Sequence, residues 1–196
     1  MSGGKEKMYV SIGADCATAT ALKEQGKRKI GFPFDWTVFY KDINEIFKSD
    51  FIGLGEDVEI VHHQALHHDV HVNKKYKILF LHHRGSDHLP QCIRRSERLL
   101  NLMKNGEKYV ILIRSSHRDG HHQELIDIGI DSPHFDETKD IMELKNFLRS
   151  KYPDLKFKIY LYNQCKLCND QTMIDEENVF IKHIEHEQLG GEINSI

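Results

Sequence analysis

The chain has 196 residues, and 27 lysines and arginines face 30 aspartates and glutamates, so the net charge is −3 with histidine neutral. This length, with 39% hydrophobic residues, is typical of a folded domain and argues against a disordered or fibrous protein. The nearly balanced charge argues against a general nucleic-acid binder, and the longest apolar runs, four residues at 78–81 and 110–113, are too short to span a membrane. Histidine is in excess, with 14 copies, of which eight lie between His62 and His88. This excess of histidine indicates either a catalytic role or metal binding.

Four cysteines in a chain without an export signal are typical of free thiols in a reducing compartment, and not of a disulfide framework. They are Cys16, Cys92, Cys165 and Cys168. We therefore expect a cytoplasmic protein with a single domain over residues 1–196. Its start over 1–7 and its tail over 186–196 are expected to be flexible.

The first half of the chain opens with a β-branched strand over 8–13 that runs into a tight turn. Good helix formers then predict a helix over 17–25. Residues 31–36 contain Pro33 and three aromatic side chains, which indicates a loop or a short extended piece. Apolar residues at helical spacing predict a second helix over 38–51.

The second half alternates strands and helices after an irregular, histidine-rich stretch over 53–73. A strand over 76–81 and an amphipathic helix over 91–104 come first. The remaining predicted elements are a strand over 108–114, helices over 123–128 and 138–150, and strands over 157–162 and 178–184. This alternation predicts an α/β fold with three layers, in which helices cover both faces of a mostly parallel sheet.

In such a sheet, the ligand crevice lies at the carboxyl ends of the strands. The first strand delivers Asp15 and Cys16 at the start of a helix, where the dipole favours a thiolate and backbone N–H groups can hold an oxyanion. The strand over 76–81 delivers His82 and His83, either of which could act as a general base. A thiol and a histidine would therefore meet at one edge.

Two further strands add polar side chains to the same edge. Arg114 is suited to forked recognition of a carboxylate or phosphate, and Asn163 supplies an amide. We expect the substrate-binding residues to be Asp15, His83, Arg114 and Asn163. The structural alternatives are a packed Cys16, surface histidines and a salt-bridged Arg114.

Several short motifs together resemble a family of papain-like cysteine peptidases over roughly residues 8–165. The chain carries Gly-Ala-Asp-Cys at 13–16, Pro-Phe-Asp-Trp at 33–36, Phe-Leu-His-His at 80–83 and Arg-Arg-x-x-Arg at 94–98, followed by the strand that reaches Arg114. The combination is far more specific than any one motif.

This resemblance implies thiol chemistry, with Cys16 as the nucleophile and His82 as its partner. Asp35 would orient that histidine, or it would serve only as a turn or capping carboxylate. The resemblance also implies a papain-like α+β fold as the alternative to the three-layer sheet. The expected substrate is a peptide or a small molecule.

A nucleophile on a turn between strand and helix is also how esterases of the Gly-Asp-Ser type begin. Acyl transfer or ester hydrolysis would use the same mechanism as proteolysis, so the reaction stays open between them.

Two metal hypotheses use the remaining histidines and cysteines. In the run over 62–71, His63, His67 and His71 would share a helical face, or Asp69 and His71 a strand face. The Cys165 and Cys168 pair with His183 and His186 approximates a zinc ligand set. Polar surface is the favoured interpretation of both groups, so we expect no metal and no cofactor.

The alternatives to an enzyme are a zinc-stabilised protein and a non-catalytic module. That module would bind an acidic or phosphorylated ligand through Arg114 and the arginines over 94–98.

Overall fold

A computed structural model describes residues 5–38, 43–63, 67–81, 87–116, 137–164 and 173–196. The strands are β1 (Lys7–Ser11), β2 (Thr37–Val38), β3 (Val58–His63), β4 (His68–Asn73), β5 (Ile78–Phe80), β6 (Tyr109–Ser115), β7 (Lys156–Asn163), β8 (Ile174–Asp175) and β9 (Val179–His183). The helices are α1 (Ala17–Glu24), α2 (Ile43–Lys48), α3 (His88–Asn105), α4 (Thr138–Lys151) and α5 (Leu189–Ser195), with a 3-10 turn at His186–Gln188.

The central sheet has five strands in the order β1-β6-β7-β9-β8. β1, β6, β7 and β9 are parallel, and β8 is an antiparallel edge strand. Register aligns fully buried apolar side chains across the four parallel strands: Val10, Leu112, Ile159 and Val179. Runs of Val, Ile and Leu form strands of this kind because both sheet faces are covered.

Helices cover both faces of the central sheet. The helices of one face, α1 and α5, pack on it through Ala21, Leu22, Leu189 and Ile193. The helices of the other face, α2, α3 and α4, supply Ile46, Phe47, Leu99, Met103, Ile141, Leu144 and Leu148 to the main core. Each such side chain contributes about 1.5–3 kcal/mol when it is fully buried. The predicted α/β fold with a mostly parallel sheet is confirmed, and the papain-like α+β alternative does not describe this sheet.

The predicted helix ends agree with local chemistry. α3 stops at Gly106, whose φ of 58° is left-handed. A Cβ there would lie 3.0 Å from the Asp154 carbonyl oxygen, so glycine meets both the conformational and the steric requirement.

A second, antiparallel sheet has the order β2-β5-β4-β3 and departs from the predictions. The strand predicted over 76–81 pairs antiparallel with β2 and β4 and does not join the parallel sheet. The helix predicted over 38–51 is shorter, because Val38 belongs to β2 and α2 spans Ile43–Lys48.

The histidine-rich stretch predicted as irregular contains the hairpin of β3 and β4. Its alternation is weak because histidines and acids occupy much of both strands, while Val70 and Val72 carry the buried side.

The two sheets meet at the turn that follows β1. Ala14 shares a buried cluster with Val38 and Leu79 of the second sheet, and the partly buried Leu81 packs against it. The second sheet therefore lies beside the carboxyl end of β1.

The tail over 186–196, predicted to be flexible, is instead a 3-10 turn followed by α5. Leu189 and Ile193 are buried against the central sheet, and the Lys27 ammonium donates to the Ile193 carbonyl oxygen at 2.6 Å. These apolar contacts and the Lys27 hydrogen bond dock this short helix on the rest of the protein.

The helix predicted over 123–128 lies outside the described residues. Within the described ranges, we find no helix with the length and apolar character needed to cross a membrane.

Candidate active site

A turn that is hydrogen-bonded to β6 places Cys16 at the edge formed by the carboxyl ends of the parallel strands. The Ile12 and Ala14 amides donate to Ile113 and Ser115 carbonyl oxygens at 2.8 and 2.9 Å, which extends the β1 and β6 ladder beyond Ser11. Gly13 has a φ of 85°, a conformation that residues with a Cβ rarely adopt. The strand therefore ends in a turn that uses the left-handed conformation of Gly13, just before the thiol.

Cys16 is the N-cap residue of α1 and is half-buried. Its carbonyl oxygen accepts from the Thr20 amide at 2.9 Å, the first helical bond. The Asp15 carboxylate accepts from the Ala17 amide at 2.7 Å, so this buried acid helps to cap the helix. A thiol at a helix N-terminus, reachable from solvent, can react as a thiolate.

Buried hydroxyl groups fix α1 to the ends of the neighbouring strands. The Thr18 hydroxyl bonds the Ser115 hydroxyl at 3.0 Å, and the Ser116 hydroxyl accepts from the Gln164 amide at 2.7 Å. The Ser116 amide donates to the Tyr162 carbonyl oxygen at 2.9 Å. These bonds hold the first turn of α1 and the ends of β6 and β7 in one rigid unit.

Asn163 lies on this edge at the end of β7, as predicted, and is paired in register with His183. Two strand spacings separate β7 from β1, which corresponds to about 10 Å. The Asn163 Oδ1, Gln164 Nε2 and His183 Nδ1 atoms are buried and have no hydrogen-bond partner among the described residues. Asn163 and Gln164 therefore place carboxamide groups at the carboxyl end of β7.

Asp35 is buried inside the loop that precedes β2. Its carboxylate accepts from the Arg28 Nε at 2.7 Å and from the Phe32 amide at 3.0 Å. These contacts agree with the predicted role as a turn carboxylate. Its role in orienting a catalytic histidine stays a prediction.

Arg114, expected to bind substrate, has an internal position. Its guanidinium is 2% exposed, pairs with the equally buried Glu137 and donates to the Ile12 carbonyl oxygen at 2.8 Å. It therefore anchors the end of β1 beneath the Gly13 turn and does not reach the surface of the edge.

The predicted bases His82 and His83 lie outside the described residues. Leu81 directly precedes them and packs against the cluster that holds Ala14, two residues before Cys16. The strand before these histidines belongs to the antiparallel sheet, so the prediction that they follow a strand of the parallel sheet is wrong, and their role as bases stays a prediction.

The structure tests the first metal hypothesis, whereas the two cysteines of the second lie outside the described residues. The run over 62–71 belongs to a hairpin, so His63, His67 and His71 do not share a helical face; instead the His62 Nδ1 lies 3.0 Å from the Asp69 Oδ1 across the strands. Cys165 and Cys168 lie outside the described residues. In the described part of the chain, no group of three or more candidate ligands is arranged to hold a metal ion.

The sequence patterns did not identify a buried imidazole and thiol on α3, those of His88 and Cys92. His88 stacks on His71 with ring centroids 4.7 Å apart, and its Nε2 lies 3.9 Å from the Cys92 sulfur. Burial raises the pKa of Cys92 to about 12, so this thiol is protonated and unreactive at neutral pH. Burial, with the His71 charge adding to it, lowers the pKa of His88 to about 4.

We expect the His88 shift to make folding sensitive to acid. An unfolded histidine takes up its proton near pH 6.5, whereas native His88 does so near 4, so the unfolded state binds more protons between these values. Stability is full above pH 6.5 and falls as the pH drops towards 4, by at most about 3 kcal/mol. Urea unfolding at pH 7 and 4.5 measures the loss.

The matched variants are His88→Phe, which removes the buried imidazole, and His62→Asn, which removes an exposed imidazole. The first should reduce the pH slope of the unfolding free energy and the second should not. An unchanged slope in His88→Phe would contradict the assignment.

The comparisons with known proteins bear directly on the Cys16 turn. A family model described as "Putative papain-like cysteine peptidase (DUF1796)" matches residues 7–166. The chain belongs to this papain-like cysteine peptidase family. The family match spans β1 to β7 and so includes Cys16, Asp35, His82 and Asn163. No curated protein and no solved structure matches the chain.

Proposed function

We propose that this papain-like cysteine peptidase family member is a cysteine hydrolase with Cys16 as its nucleophile and His82 as its general base. The observation that carries the proposal is the half-exposed Cys16 at the N-cap of α1, on the carboxyl edge of a parallel sheet. Cys92 offers a contrast within the same chain, because burial keeps its thiol neutral.

The first half of the reaction is acylation. His82 takes the Cys16 proton, the thiolate attacks a carbonyl carbon, and the resulting oxyanion accepts hydrogen bonds from backbone N–H groups of the first turn of α1. The tetrahedral intermediate collapses to a thioester as the leaving amine or alcohol receives the proton from His82.

The second half releases the product. His82 takes a proton from water, the hydroxide attacks the thioester carbonyl, and the Cys16 thiolate departs and is reprotonated. If an alcohol or amine replaces water, the same steps give acyl transfer.

The proposed substrate is a polar ester or amide, either a small molecule or a short peptide. The proposed contacts for the distal part of such a substrate are Asn163 and Gln164, which lie at the carboxyl end of β7, about 10 Å from β1. The buried Arg114 argues against a charged group being held there.

Alkylation by iodoacetamide at pH 6 tests the activated thiol. Because the helix N-terminus favours the thiolate, Cys16 should react at least about tenfold faster than glutathione. Mass spectrometry of the Cys16 and Cys92 peptides follows both sites, and Cys92 serves as the unreactive internal control. A Cys16 rate no faster than that of glutathione would contradict the proposed nucleophile.

A further inference from the structure

Three guanidinium groups converge on the loop that begins at Gly31. A Cβ added to Gly31 would lie 3.2 Å from the Arg28 Nη2 and 3.2 Å from the Arg95 Nε, so both groups flank the same point. The Arg98 Nη1 donates to the Gly31 carbonyl oxygen. Arg28 comes from the segment after α1, whereas Arg95 and Arg98 lie on consecutive turns of α3.

The Asp35 carboxylate faces this arginine cluster of Arg28, Arg95 and Arg98. Asp35 is 1% exposed and already accepts from Arg28 and from the Phe32 amide. Burial lowers the pKa of Arg95; Asp35 opposes this change, while Arg28 and Arg98 add to it. The cluster therefore holds more positive charge than its own carboxylate neutralises.

The cluster is partly accessible to solvent. All three arginines and Gly31 are half-buried, and the neighbouring Ile30 is exposed. Partly desolvated guanidinium groups bind anions more strongly than fully exposed ones, because water screens the charge less.

We propose that Arg28, Arg95 and Arg98 form a binding site for a phosphate group. Guanidinium groups arriving from two elements can contact several oxygens of a tetrahedral oxyanion at once, whereas a planar carboxylate presents only two oxygens. The ligand is a phosphate group, either free or as the monoester of a small molecule. This site does not depend on the hydrolase proposed at Cys16.

The single tryptophan of the chain provides the readout. The Arg28 guanidinium carbon lies 5.6 Å from the centre of the Trp36 ring, so an anion that engages Arg28 should alter Trp36 fluorescence. We would titrate the full chain with inorganic phosphate, and separately with phenyl phosphate and acetate, while chloride keeps the ionic strength constant. Thermal melting in the same buffers gives an independent measure of binding.

The expected result is a saturable fluorescence change and a rise in Tm with a phosphate-bearing probe. Arg95→Gln should weaken binding at least about tenfold, because it removes a charged guanidinium group that can donate two hydrogen bonds to one anion. Arg94→Gln, at an exposed position on the same helix, should change the Kd less than about twofold. Arg95→Lys keeps the positive charge but loses the bidentate guanidinium geometry. The phosphate affinity of this variant should therefore lie between those of Arg95→Gln and the unmodified chain.

Tighter binding of phenyl phosphate than of phosphate would identify a monoester ligand, and the reverse a free phosphate. A non-saturable response equal to that of chloride would overturn the site, as would equal affinities in Arg95→Gln and Arg94→Gln. Acetate binding as tight as phosphate binding would overturn the phosphate assignment. Should Arg95→Gln fail to fold, Arg95→Lys and Arg94→Gln decide the outcome by the same comparison.

Discussion

Replacing Cys16 by alanine is expected to lower hydrolysis of an activated ester such as p-nitrophenyl acetate by at least about 10³-fold in kcat. Without the thiol no thioester can form, and only the backbone groups of the first turn remain to assist attack by water. Mass spectrometry after brief exposure to the ester should show an acetyl group on Cys16 in the unmodified chain.

The fold of Cys16→Ala should be preserved, because a half-exposed N-cap side chain leaves no enclosed cavity when it is shortened. An unchanged Tm together with lost activity separates chemistry from packing. Full activity in Cys16→Ala would assign the reaction to another residue and end the proposal.

His82→Ala and His83→Ala form a matched pair for the base. Removing a general base typically lowers the rate by about 10²–10⁴-fold, so we expect this loss of kcat in His82→Ala. His83→Ala, at an expected substrate-binding residue, should keep a nearly unchanged kcat and raise KM. The pH profile of kcat should also lose its acidic limb in His82→Ala. The opposite pattern would transfer the base to His83.

The position of Cys16 was predictable because it depends on local signals. An apolar strand, a glycine and a run of helix formers specify β1, the turn and α1, and the parallel arrangement then fixes the edge at which the thiol lies. Asn163 follows from the same rule at the end of β7.

The second sheet was not predictable in this way. β5 has only three residues and its partners are β2 and β4, so its sheet is decided by pairing across the chain and not by its own apolar run. The β3 and β4 hairpin gives a weak alternating pattern because histidines and acids occupy much of both strands. The identity of a strand's neighbours is tertiary information.

The environment of Arg114 shows the same limit at the site itself. The end-of-strand rule identified Arg114 as a residue near the edge, but its partner Glu137 is 23 positions away at the start of α4. Nothing local in the sequence indicates whether such an arginine faces a ligand or a buried acid.

Replacing Arg114 by methionine is expected to destabilise the protein by about 3–5 kcal/mol, since it removes one partner of a buried ion pair with Glu137. The double variant Arg114→Met with Glu137→Leu should recover most of this loss, because apolar pairs often replace buried ion pairs at little cost. Urea unfolding at pH 7 measures all three free energies. A loss below about 1 kcal/mol in the single variant would show that the pair is not coupled.

The control is Lys151→Met, which breaks the partly exposed ion pair with Asp50 and should cost no more than about 1 kcal/mol. Arg114 also donates to the Ile12 carbonyl oxygen just before the Gly13 turn, so its loss should loosen the turn that presents Cys16. The iodoacetamide rate of Cys16 should therefore change in Arg114→Met under conditions where the protein is still folded, and should stay constant in Lys151→Met. The buried ion pair would then act as a positioning element for the thiol through the backbone of β1.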